Sequence, residues 1–99
     1  MKEDILVYLS SIKDELAQHG ISKIGLFGSF AKGTADLYSD IDIIINTTPK
    51  FVKAFDGVTG FLFLEDLRVR LEKQFHRHVD ICDEAGLKHT SIMKESIYA

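Results

Sequence analysis

Ile5, Leu9, Ile12 and Leu16 recur at spacings of four, three and four along Lys2 to His19, which places them on one face of an amphipathic helix. Glu3 and Asp4 suit the positive end of its dipole, and Gly20 supplies a stop. The period then shortens. Ile21 to Phe27 reads as a strand, with Ile24 and Leu26 on one side and Gly25 and Phe27 on the other. Gly28-Ser29 breaks it, and residues 29–38, which include Gly33, are expected as a loop with room for one helical turn. Ser39 to Asn46 is a second strand, built on the β-branched Ile41, Ile43, Ile44 and Ile45 and ended by Thr47-Thr48-Pro49. Residues 50–58 fit a loop or a short helix equally well. Gly57 and Gly60 bracket the start of a second helix, about 61–75, with a stripe of Leu64, Leu67, Leu71 and Phe75. His78 to Cys82 reads as a third strand, and a short C-terminal helix after Gly86 carries Leu87, Ile92, Met93 and Ile97.

These elements predict an α/β (α+β) fold, a small mixed three-stranded sheet with helices packed on it, as one domain over residues 1–99. The helix at 61–75 makes a right-handed crossover, so the second and third strands should run parallel. The quick return from the first strand to the second suggests an antiparallel pair. Alternation puts Asp40 and Asp42 on one face, ~7 Å apart along the strand, with Ile41, Ile43 and Ile45 on the other. Asp80, early in the third strand, can then sit beside them, and Gly28-Ser29 stands at the same edge of the sheet.

Three carboxylates at that range repel one another. A like-charge pair at ~4 Å costs ~4 kcal/mol at an effective dielectric of ~20. Such a site calls for cations or for raised pKa values, and hard oxygen donors select magnesium or manganese over zinc. Two such ions would clamp a phosphoryl group between its attacking and leaving oxygens. The arrangement therefore implies phosphoryl or nucleotidyl transfer. Asp83 and Asp36 are alternatives to Asp80, although Asp83 would point to the opposite face. His76 and His78 lack partners for a tetrahedral site, with Cys82 and His89 single, and read as surface or supporting groups. Arg68, Arg70, Lys73 and Arg77 alternate with Glu65, Asp66 and Glu72 as an ordinary solvated helix face does.

A hydrophobic content of 45% excludes an intrinsically disordered chain. With 15 acidic against 12 basic residues and a net charge of −3, there is no basic stripe, so direct nucleic-acid binding is not expected. Cys82 is the single cysteine and cannot form an internal disulfide, which fits a reducing compartment. No signal-peptide core and no run near ~20 apolar residues is present, so a cytoplasmic location with no membrane association is expected.

Gly28-Ser29, ten residues, then Asp40-Ile-Asp42 before an apolar strand, with Asp80 further on in Val-Asp-Ile-Cys, resembles the signature of the minimal nucleotidyltransferases of the DNA polymerase β-like superfamily. The likeness spans nearly the whole chain. It implies the polymerase β-like fold and transfer of AMP from ATP to a hydroxyl with release of pyrophosphate. By that likeness Asp40, Asp42 and Asp80 are the catalytic, metal-holding carboxylates for two Mg²⁺ or Mn²⁺ ions, and Asp80 accepts the acceptor's proton. Gly28, Ser29 and Lys32 bind the nucleotide; the family often has arginine where this chain has Phe30 and Lys32. Larger members carry an acceptor-binding domain, which has no counterpart here. The chain is most similar to the stand-alone antitoxins of HEPN-domain toxins, which implies AMP transfer to a tyrosine of an RNase partner. Alternatives are neutralisation of that partner by binding alone and transfer to a small molecule of the aminoglycoside type. Phe61, Leu62, Phe63 and Leu64 make the first turn of the second helix apolar all round, more than one core-facing stripe needs, and are candidates for contact with a partner.

Overall fold

The helix α1 (Lys2–Gln18) buries Ile5, Leu9, Ile12 and Leu16 against the sheet, all at 4% exposure or less. A computed structural model describes residues 1–86 and 95–99 of the chain. After α1 come β1 (Ile21–Phe27), α2 (Gly28–Lys32), β2 (Ile41–Thr47), α3 (Pro49–Ala54), α4 (Gly57–Phe75), β3 (Val79–Asp83), a 3₁₀ turn (Glu84–Gly86) and β4 (Ile97–Tyr98). The sheet order is β3-β2-β1-β4, with β1 antiparallel to both its neighbours and β2 parallel to β3.

One face of this sheet carries the core. Ile24 and Leu26 of β1, Ile41, Ile43 and Ile45 of β2, and Val79 of β3 pack there against α1 and against Leu67 and Leu71 of α4. A register shift between Ile21 and Lys23 resets the alternation, so Ile21 joins the same cluster. Fully burying each such side chain contributes about 1.5–3 kcal/mol. With the helices committed to that face, the side chains of Asp42 and Asp80 are left on the other.

The sheet has four strands, not the three expected from sequence. Ile97, assigned above to a C-terminal helix, lies in β4, where it pairs with Leu26 while Tyr98 pairs with Gly25. The rest of that expected helix falls on residues 87–94, outside the described residues. A two-residue strand is too short to show a period, but Gly25 marks its place. A Cβ there would lie 2.6 Å from the Ile97 carbonyl oxygen, so only glycine lets β4 approach this closely. The Tyr98 hydroxyl donates to Glu84, and Lys23 Nζ stands 5.3 Å from the centre of the Tyr98 ring.

The helix expected at 61–75 begins at Gly57, because the Asp56 carboxylate accepts hydrogen bonds from Val58 N at 3.1 Å and Thr59 N at 2.9 Å. Gly60 sits inside this helix against the Phe51 ring, where a Cβ would come within 3.3 Å. Those hydrogen bonds hold the Asp56 carboxyl below its ordinary value of 3.8. The cap's contribution is therefore complete above pH 3.8 and fades as the pH falls through the lower folded value. Asp56→Ala is expected to lower the melting temperature by roughly 4–8 °C at pH 7, and the gap from wild type should close in melts taken at acidic pH.

Candidate active site

Asp42 and Asp80 are partners in the register of the parallel β2–β3 pair, so their side chains rise from adjacent strands on the face opposite the core. Asp40 lies just before β2, whose first amide, Ile41 N, donates to the His78 carbonyl at 2.9 Å. That bond extends the pairing past β3 and brings Asp40 level with His78. One side-chain donor atom from each of Asp40, His78 and Asp80 lies within 4.8 Å of the others.

Asp42 is the most enclosed of the three carboxylates. Burial pushes its carboxyl above the ordinary 3.8, Asp80 and Asp40 add to the rise, and His78 opposes it. All three aspartates therefore share one electrostatic field. His78 is gripped at both ring nitrogens, with Nδ1 3.0 Å from Glu72 Oε2 and Nε2 3.1 Å from Asp80 Oδ1. Desolvation lowers the His78 pKa, but Asp80, Asp40 and Glu72 together outweigh it and favour the imidazolium. Glu72 is itself fixed by Val79 N at 3.0 Å and by Arg68 Nη1 at 2.8 Å. A chain of contacts thus runs from the last turns of α4 to Asp80.

Gly28 closes the other side of the site. Its φ of +71° is open to glycine, and a Cβ would stand 2.3 Å from Asp42 Oδ2, so the carboxylate rests against the bare α-carbon. Phe27, the residue before it, is the register partner of Asp42. Ser29 follows in α2, and its carbonyl accepts from Thr34 N at 2.9 Å. Gly33, with φ +78°, ends α2 in a left-handed cap. Lys32, at the end of α2, pairs through its Nζ with Glu95 at 3.1 Å.

The alternatives to Asp80 are occupied elsewhere. Asp83 accepts from Thr47 N at 3.1 Å and from the Thr47 hydroxyl, fastening the ends of β2 and β3. Asp36 accepts from Tyr38 N at 2.8 Å and from the Ser39 hydroxyl, folding its own turn. His78, read from the sequence as a surface or supporting group, stands just before β3 and two residues before Asp80, and it takes that supporting place. The carboxylate oxygens that Asp40 and Asp80 bring together suit a hard divalent cation.

The family model for the nucleotidyltransferase domain matches residues 9–98. Protein adenylyltransferase MntA of Thermococcus cleftensis is 29% identical over 100 residues, covering 97% of this chain and 93% of that protein. A solved structure described as a minimal nucleotidyltransferase aligns with a TM-score of 0.71 at 26% identity, covering 97% of this chain and 93% of the other. A chain from the crystal structure of a toxin–antitoxin with AMP-PNP aligns with a TM-score of 0.57, covering 89% of this chain and 61% of the other. Its 23% identity makes that likeness one of fold. Among the described residues, no helix is long and apolar enough to cross a membrane.

Proposed function

The chain belongs to the nucleotidyltransferase domain family and is a nucleotidyltransferase; from that premise we propose that it moves AMP from ATP to a hydroxyl of a partner protein, a toxin that it thereby silences. The observation that carries this reading is the pairing of Asp42 with Asp80 across β2 and β3, with a carboxylate oxygen of Asp40 within 4.8 Å of one of Asp80, beside a glycine that leaves the backbone bare. In this reading Asp40, Asp42 and Asp80 would hold divalent cations, which when bound would supply neutralising charge at the phosphoryl group and its leaving oxygen.

Gly28 lets the triphosphate approach the main chain, and Ser29 donates its hydroxyl to the outer phosphates. Lys32 adds a point charge after exchanging Glu95 for phosphate. Asp80 takes the proton from the acceptor hydroxyl, and His78, held by Glu72, keeps that carboxylate oriented. The acceptor oxygen forms a bond to the α-phosphorus as the bond to pyrophosphate breaks. Support for a protein acceptor comes from the adenylyltransferase relative. The finer reading, a tyrosine of a HEPN-domain RNase in a cytoplasmic complex, rests on the motif likeness. The exposed apolar side chains of Val58, Phe61 and Leu62, at 71%, 66% and 53% exposure, suit contact with such a partner.

The test is the intact mass of the toxin co-expressed with this protein, after incubation with ATP and magnesium. A gain of one or more AMP groups, mapped to tyrosine by fragmentation, is the expected result. An unchanged mass in a stable, neutralised complex would instead show that the protein works by occlusion.

A further inference from the structure

Arg77 reaches both halves of the site from outside it. Its Nη1 lies 3.1 Å from the Asp36 carbonyl oxygen, 3.2 Å from that of Leu37 and 2.8 Å from that of Ser39. Its guanidinium carbon stands 5.2 Å from the centre of the Phe30 ring. Phe30 directly follows Gly28-Ser29, and Ser39 directly precedes Asp40. We propose that Arg77 is a positioning residue for nucleotidyl transfer, fixing where the turn at 36–39 delivers Asp40 relative to Ser29 and Asp80. This rests on the reading of Asp40 as one of the reacting carboxylates.

The turn shapes itself but does not place itself. Asp36 N donates to Ser39 Oγ at 2.9 Å, Tyr38 N to Asp36 Oδ1 at 2.8 Å, and Ser39 N to the Asp36 carbonyl at 3.2 Å, all within the turn. Its two large apolar side chains bury nothing, Leu37 being 84% exposed and Tyr38 92%. Packing of those side chains cannot hold the turn, so the hold comes through its carbonyls. Three carbonyl dipoles meet one cation, and hydrogen bonds to a charged donor are the stronger kind. Arg77 is well placed to anchor them. It lies between His76, whose left-handed φ of 53° ends α4, and His78, whose carbonyl takes the Ile41 amide at 2.9 Å. The guanidinium is spent on main-chain carbonyls and a ring face, so it acts through Asp40 rather than on the nucleotide. A lysine would offer a point charge to these carbonyls but no flat guanidinium for the Phe30 ring.

The experiment compares wild type, Arg77→Lys, Arg77→Met and Asp40→Ala in adenylyl transfer with magnesium varied, and in timed chymotrypsin digestion. Arg77→Met should lose roughly 10–100-fold in kcat, the effect of displacing a reacting group by about 1 Å, with KM for ATP nearly unchanged. Its magnesium requirement should rise, and Arg77→Lys should recover part of the rate. Cleavage after Leu37 and Tyr38, slow in wild type, should accelerate in Arg77→Met at temperatures where it is still fully folded. An Arg77→Met protein with wild-type kcat and metal requirement, or with the turn cut no faster, overturns the proposal. If Asp40→Ala remains active, the assignment of the carboxylates fails instead, and the digestion still decides whether Arg77 holds the turn.

Discussion

Asp42→Ala is expected to lower nucleotidyl transfer by ~10³-fold or more at saturating ATP, a loss of about 4 kcal/mol of transition-state stabilisation. Its melting temperature in metal-free buffer should stay the same or rise. Both outcomes come from one arrangement. Asp42 stands on β2, paired with Asp80 on β3 and two residues after Asp40, and burial together with both neighbours disfavours its charge. On the proposed reading, truncation removes a carboxylate that the fold pays to keep and that only the reaction needs. AMP incorporation measured beside a thermal melt in chelator checks both halves. Transfer within about tenfold of wild type would mean that these carboxylates are not the reacting ones. A large fall in melting temperature would mean that Asp42 is structural.

Gly20→Ala should be the most damaging single methyl in the chain, lowering the melting temperature by at least ~15 °C, about 3 kcal/mol or more. Gly20 has φ +93°, and a Cβ would lie 2.3 Å from Phe51 N and 2.7 Å from Phe51 Cα. Those are main-chain atoms of α3 and cannot rotate aside. Moving α3 would also break the two hydrogen bonds that Thr48 gives the Gly20 carbonyl, from N at 2.9 Å and Oγ1 at 2.7 Å, and would expose Phe51. Gly33→Ala is the control. Its φ of +78° imposes similar backbone strain, but nothing lies within 4 Å of the added carbon, so a loss of only about 1 kcal/mol is expected. Equal losses in the two variants, measured by urea denaturation, would refute the clash.

The part of the fold that depends on period was legible in the sequence. The α1 stripe, the alternation in β1 and β2, the antiparallel and parallel pairings and the shared face of the core isoleucines all follow from spacing. What escaped depends on contacts between distant positions. β4 is two residues long and was legible only through Gly25. The first turn of α4, Gly57-Val-Thr-Gly60, has poor helix propensity, which the Asp56 cap and the packing of Gly60 on Phe51 override. Arg77 looked like one more solvated cation because its partners are carbonyls 38 to 41 positions away, and a carbonyl has no sequence signature. Lys32 was read for its place in the motif, and its pairing with Glu95 was not visible from there.

Among the described residues, the strand that brings Asp80 to the site forms a rim of the sheet, paired on one side to β2. Rim strands fray before central ones, and amide hydrogen exchange records that opening. A cation spanning Asp80 and the carboxylates of Asp40 and Asp42 would latch the rim to the middle of the sheet, and it could bind only while the rim is closed. Loading of the site and fraying of β3 are then a single equilibrium, with the latch worth about 2.7 kcal/mol when the ion is at a hundred times its Kd. The exchange rates of the amides from Val79 to Asp83 would read the site's occupancy with no nucleotide and no acceptor present.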